Sequence, residues 1–246
     1  MKASHAIAAE FRGRIASGEL GAGDPLPVEG ELVDRLGVSK GVVREALRIL
    51  EHEGLIEVRR GLGGGPRVRH PSIGHAATAM GVYLQIGNVA VMDAWAARDR
   101  IIGAAVERLA DARAPVPDLD AAVGALAARV GDLDAYNAAL LDVHEAVVGE
   151  AGNRTELMLV SALRHVVAAE IEAATRALVD VRPAVQHEQR IARAWRDVVR
   201  HVRAGQRAAA ARAFARQADP VREGLARVLG DTTVVDAARG RRGPDA

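Results

Sequence analysis

Apolar residues recur along the chain with a period that changes twice, and the changes mark its elements. In "SHAIAAEFRGRIASGEL" (4–20), Ile7, Phe11 and Ile15 keep helical spacing until Gly18 and Gly21 stop the run. "GAGDPLP" (21–27) is turn material, and "VEGELVDRL" (28–36) predicts a short second helix. Val43, Leu47 and Leu50 then form an apolar stripe on a third helix, with Ser39 as its N-cap and Gly54 as its stop. "LIEVRR" (55–60) and "PRVRH" (66–70) are short β-prone runs separated by "GLGGG" (61–65), a hairpin with a glycine tip.

From there on the period is helical. Helices are predicted near 73–87, 89–113, 119–130, 133–151, 154–180, 183–204 and 206–229, broken at "PVPD", "GD", "GN", "RP" and "AG". Three helices and a hairpin are the order of a winged helix-turn-helix. The expected fold is therefore mainly α, a winged helix-turn-helix followed by an all-α bundle of six to seven helices. The predicted boundaries are a DNA-binding domain at 1–70, a linker at 71–75, a helical domain at 76–230 and a disordered tail at 231–246. No internal repeat is visible.

Composition narrows this picture. Of 246 residues, 49% are hydrophobic but only 2% aromatic, so the core must be aliphatic and the helix formers Ala and Leu must carry it. A formal net charge of +1 means that any basic site comes from local clustering. There is no cysteine, which excludes disulfides and thiolate metal sites and fits a reducing cytoplasm. Charges interrupt the N-terminal apolar run and no long uncharged stretch exists, so neither a signal peptide nor a membrane span is expected.

The clustering is on the third helix. Lys40, Arg44 and Arg48 are four residues apart, beginning at the first turn. The second helix of a helix-turn-helix presents its first turns to the major groove, where its positive dipole end favours phosphate. Gly41 lets the backbone approach closely, and Ser39 caps the same turn. Arg60, Gly63, Gly64 and Arg67 on the hairpin suit insertion into a narrow minor groove. The bland alternative for four-spaced cations is an ordinary solvated face; it weakens because turn, cap, preceding helix and basic hairpin occur in order. "GLGGGP" superficially resembles a phosphate loop, but no Lys-Ser/Thr follows and Pro66 leads into a strand.

These residues resemble the DNA-binding domain of the GntR family of bacterial transcriptional regulators. The resemblance rests on "G-x-x-L-P-x-E-x-E-L" at 23–32, "L-G-V-S" at 36–39, "V-R-E-A-L" at 43–47 and "E-G-L-I" at 53–56. It implies that Lys40 and Arg44 contact operator DNA. Gly30 and Lys40 stand where the family usually has arginine, and Gly41 replaces a hydroxyl residue. A lysine cannot make arginine's forked contact with guanine, so operator sequence does not carry over.

The second half resembles the FCD effector-binding domain of the FadR-type subfamily. Many members hold a divalent metal with an Asp or Asn, a His four residues later, and two further His. Matching "LLDVHEAVVGEAGN" (140–153) and "VRAGQRAAAARAFARQ" (202–217) puts Leu140, His144, Trp195 and Gln217 at those four places. By this register only His144 survives, and a lone imidazole holds a metal poorly; no metal or other cofactor is expected. His187 or His201 would rescue a site only if the register slipped. Arg98, freed from an acid that would stand at Ile102, is left to hold an acidic ligand near His144. The plainer alternatives are an Arg98 that snorkels to the surface and a His144 satisfied in the core.

The expected function is a cytoplasmic homodimeric repressor of a near-palindromic operator, not an enzyme. Its expected partners are double-stranded DNA and a small organic, acidic effector held by Arg98, Leu140, His144, Trp195 and Gln217. Two rivals are metal-dependent sensing in the same fold, and an all-helical enzyme with an N-terminal docking domain.

Overall fold

The structure is a computed structural model that describes residues 2–59, 61, 64–69, 73–179, 184–232 and 234. It divides into two compact units, Met1–Ala76 and Ala77–Ala246. In the first, α1 (Ala3–Ala16), α2 (Glu29–Leu36) and α3 (Lys40–His52) precede a hairpin of β1 (Ile56–Arg59) and β2 (Gly65–Val68). The strands are antiparallel, with Ile56 opposite Val68 and Arg59 opposite Gly65. Ile7, Phe11, Val43, Leu47, Leu50 and Ile56 share one core, so the stripe read on the third helix is the one it buries.

Local chemistry explains the joints of this unit. Gly37 closes α2 in the left-handed region at φ 64°, which lets the chain turn directly into Ser39. The Ser39 hydroxyl accepts the Val42 N–H at 3.4 Å and starts α3. Gly54, at φ 71°, ends it and lies under the His75 ring, where a methyl group would collide.

The 21–27 segment departs from the sequence reading. Residues 22 and 23 do turn, but the segment also lies along the edge of β2, with an isolated antiparallel bridge between Pro25 and Arg67. The Gly23 N–H donates to Val68 O at 2.9 Å, the Leu26 N–H to Pro66 O at 2.8 Å, and the Val68 N–H to Asp24 O at 2.9 Å. Pro25 and Pro27 lack N–H groups and so read as turn formers. At a sheet edge the missing donors cost nothing.

The second unit consists of seven helices: α4 (Ile73–Ile86), α5 (Val91–Ala112), α6 (Pro117–Ala128), α7 (Leu133–Glu150), α8 (Arg154–Val179), α9 (Ala184–Arg203) and α10 (Arg207–Leu229). The first turn of α4 is counted with the first unit. Of the expected linker, 71 and 72 lie outside the described residues, and Ile73, Gly74 and His75 are that first turn. The expected disordered tail lies outside them too, except for residues 231, 232 and 234.

Asp132 caps α7 by accepting the Ala135 N–H at 3.2 Å. The core of the unit joins Ile102 and Val106 of α5, Leu119 of α6, Val147 of α7, Trp195 of α9 and Phe214 of α10. After α10 the chain returns to the α4–α5 corner: the Val91 N–H donates to Thr232 O and the Val234 N–H to Val89 O, both at 3.0 Å.

Candidate nucleic-acid interface and ligand site

The first turns of α3 are laid bare to solvent. Ser39, Lys40, Gly41, Arg44 and Arg48 are all exposed, while Val43 and Ala46 between them are buried. No acid stands in the first turn of α3. A cation there opposes the helix dipole, so stability alone does not select Lys40. Arg207 holds the same position on α10 but is paired with Glu107 and Asp111 at 2.6 and 2.8 Å. Among the described residues Lys40 has no such partner. At Gly41 the nearest atom to an added methyl is Ser39 Oγ at 3.9 Å, so packing does not demand the glycine.

Two of the cations singled out in the sequence are engaged within the unit. Arg44 Nε donates to Glu29 Oε2 on α2 at 2.9 Å, an interaction between exposed groups that sequence spacing did not reveal. Arg67 donates to Gly23 O at 3.0 Å and so ties β2 to the 21–27 segment. Arg59 pairs with Glu57 on its own strand at 2.6 Å. The tip is tight: a methyl on Gly64 would overlap the carbonyl oxygens of Arg59 and Gly61. Arg60 and Gly63 lie outside the described residues.

In the helical unit, α5 and α7 bring Arg98 and His144 into hydrogen-bond contact. Arg98 is only 2% exposed, which overturns the reading in which it snorkels to the surface. Its guanidinium carbon sits 4.5 Å from the centre of the Trp95 ring, so the cation is held between an indole face and an imidazole. Guanidinium only donates, so His144 Nδ1 must be the bare nitrogen and Nε2 the protonated one. Burial first, then Arg98 and Arg164, push the His144 pKa well below its usual value and keep the ring neutral.

Trp195 of α9 closes the other side of His144, with ring centres 5.6 Å apart, and meets Phe214 edge-on at 5.8 Å. Gln217 is buried one turn beyond Phe214, and Leu140 is half-buried on the same face of α7 as His144. Within this cluster Arg98 Nε and Trp195 Nε1 are buried without an acceptor.

Sequence reasoning missed Asp99. Burial raises its carboxyl to about 6, against the pull of Arg98, Arg222 and the Trp95 N–H. That indole is oriented to favour the ion, but Trp95 Nε1 meets no acceptor at ordinary hydrogen-bond geometry. Burial also lowers Arg98, to about 10, which leaves it charged at neutral pH. The adjacent letters "RD" at 98–99 were the available signal.

The donor set does not suit a metal. Leu140, Trp195 and Gln217 offer no anionic or imidazole ligand, and a cation already occupies the free nitrogen of His144. Among the described residues no group of three or more His, Asp or Glu side chains could hold a metal ion. No helix among them is long and apolar enough to cross a membrane.

Comparison with known proteins places this architecture. The family model described as bacterial regulatory proteins, gntR family, matches residues 3–64. The HTH-type transcriptional regulator Rv0494 of Mycobacterium tuberculosis is 31% identical over 183 residues, spanning 72% of this chain and 73% of its own length. The chain belongs to the gntR family of bacterial regulatory proteins. The Exu regulon transcriptional regulator of Escherichia coli is 47% identical over 57 residues, 23% of this chain and only 22% of that protein's length. A solved GntR structure from Streptococcus agalactiae superposes with a TM-score of 0.62 at 19% identity, covering 89% of this chain and 99% of that one. That likeness concerns the fold.

Proposed function

We propose that this GntR-family chain is a ligand-responsive, DNA-binding transcriptional repressor that acts as a homodimer on a near-palindromic operator. The observation that carries the reading is the exposed, acid-free first turn of α3, with Ser39 capping it and Lys40, Arg44 and Arg48 on its open side. The pair of Arg44 with Glu29 does not oppose it. Exposed ion pairs are worth little, and a phosphate or a guanine edge competes well for the guanidinium.

The body is read as an FCD-like effector domain of the FadR type. Its ligand site is the Arg98–His144–Trp195 cluster, with Leu140 and Gln217 beside it. Support comes from the two buried donors left unmatched there, Arg98 Nε and Trp195 Nε1, which an acid would satisfy. The homodimer reading is supported by α4. From Ala77 to Ile86 that helix has no charged residue, yet Tyr83 is 78% and Ile86 75% exposed. Two-fold symmetry then predicts two symmetric half-sites.

The test is footprinting on the DNA that flanks the protein's own gene. A protected, near-palindromic stretch is expected. Arg44→Ala should weaken binding there by about 1–3 kcal/mol, if the side chain reads a base edge. Unchanged affinity for the variant would overturn the assignment of α3.

A further inference from the structure

The cluster around His144 differs from most polar sites in one respect: its free capacity is mostly donor. Arg98 Nε–H and Trp195 Nε1–H are buried and unmatched, and His144 must carry its proton on Nε2. The carboxylates that could accept are engaged or turned away. Glu145 is held by Arg164 at 2.9 Å and by the Ser161 hydroxyl at 3.2 Å. Asp142 is exposed. The exception is Asp99, next to Arg98 along α5: its Oδ2 is buried and unmatched, and Arg98 is the first charge that acts on it, ahead of Arg222 of α10. Backbone carbonyls in α5, α7 and α9 are engaged in their own helices. Gln217 brings one amide oxygen, enough for a single hydroxyl.

The rest of the cluster is apolar: Trp95, Trp195, Phe214 and Leu140. We propose that the effector is an apolar monocarboxylate, one anionic head on a hydrocarbon or aromatic body, and that polyhydroxylated acids are rejected. The carboxylate has acceptors only and fits a site of donors. The Gln217 oxygen and Asp99 Oδ2 suffice for two hydroxyls; each further one brings an O–H that finds no acceptor after losing its water, and should lower affinity about 10–100-fold. A second negative charge would face only one buried cation. This proposal rests on the ligand-site reading above and adds the chemical class that the site selects.

The test is calorimetric titration of the full-length protein with three six-carbon compounds: hexanoate, gluconate and hexanamide. Hexanoate is expected to bind, and gluconate and hexanamide at least about 100-fold more weakly. Trp195→Phe keeps the ring packing but removes one donor, and should weaken hexanoate about 10-fold. Gluconate binding as tightly as hexanoate, with both lost in Arg98→Met, would overturn the proposed ligand class and leave the site itself standing. Binding of neither acid, or hexanoate binding that survives Arg98→Met, would overturn the site and the ligand class together.

Discussion

Two arginines summarise the contrast between the halves of this protein. Arg44 on α3 is 57% exposed and leans on Glu29; Arg98 on α5 is 2% exposed and bound to His144. The first keeps its water and its freedom, so its ion pair contributes little and can be exchanged for another anion. The second has given up solvent altogether, and its surroundings must be fixed for it to be tolerated. A surface meant to meet a polyanion needs mobile, hydrated cations. The acid site proposed around Arg98 relies instead on an immobile cation with donors left over.

Substitutions can push this contrast from both sides. The largest effect is expected at Trp195, fully buried between His144 and Phe214. Trp195→Ala should cost about 3–5 kcal/mol in urea unfolding of the helical unit, as large core truncations do. A loss under about 1 kcal/mol would mean that the cluster is loosely packed and that Arg98 is not immobilised by it.

Next is Asp99, whose effect depends on pH. Its carboxyl holds its proton to about 6 in the fold against an ordinary 3.8, so on its account stability declines as pH rises through that window. Asp99→Asn should therefore stabilise the protein on the order of 1–3 kcal/mol at pH 7.5 and change little at pH 4. His144 works in the opposite sense. Its depressed pKa means stability falls as pH drops below about 6.5, the ordinary value. Only the difference between wild type and variant isolates Asp99, and a difference that does not vary with pH would refute the buried-acid account.

The smallest effect is expected at Glu29. Glu29→Gln should change stability by less than about 1 kcal/mol, because the pair is exposed. It should nonetheless tighten operator binding at low salt, since Arg44 loses its competitor and the DNA loses a repelling charge. Weaker binding would show that Glu29 orients Arg44 for the groove.

Sequence reading worked where information is local. The apolar period located the seven described helices of the body to within a few residues, and Ser39 and Gly54 mark the two ends of α3 by their own backbone chemistry. It failed where the outcome depends on which face of one element meets another. The bridge at Pro25 was not legible because proline and glycine weaken strand signals, and only β2 beside the segment supplies the bonds. The Arg44–Glu29 contact joins two helices, and spacing along either one says nothing of it. Arg98 and His144 were read as near each other through family likeness. That Arg98 is entombed against Trp95, with Asp99 as the nearest counter-charge, needed coordinates.

The two backbone bonds after α10 constrain how the body can respond to anything it binds. Val91 N–H to Thr232 O and Val234 N–H to Val89 O fasten the exit of the last helix to the α4–α5 corner at 3.0 Å each. A displacement of that end must either break these bonds or carry the corner with it.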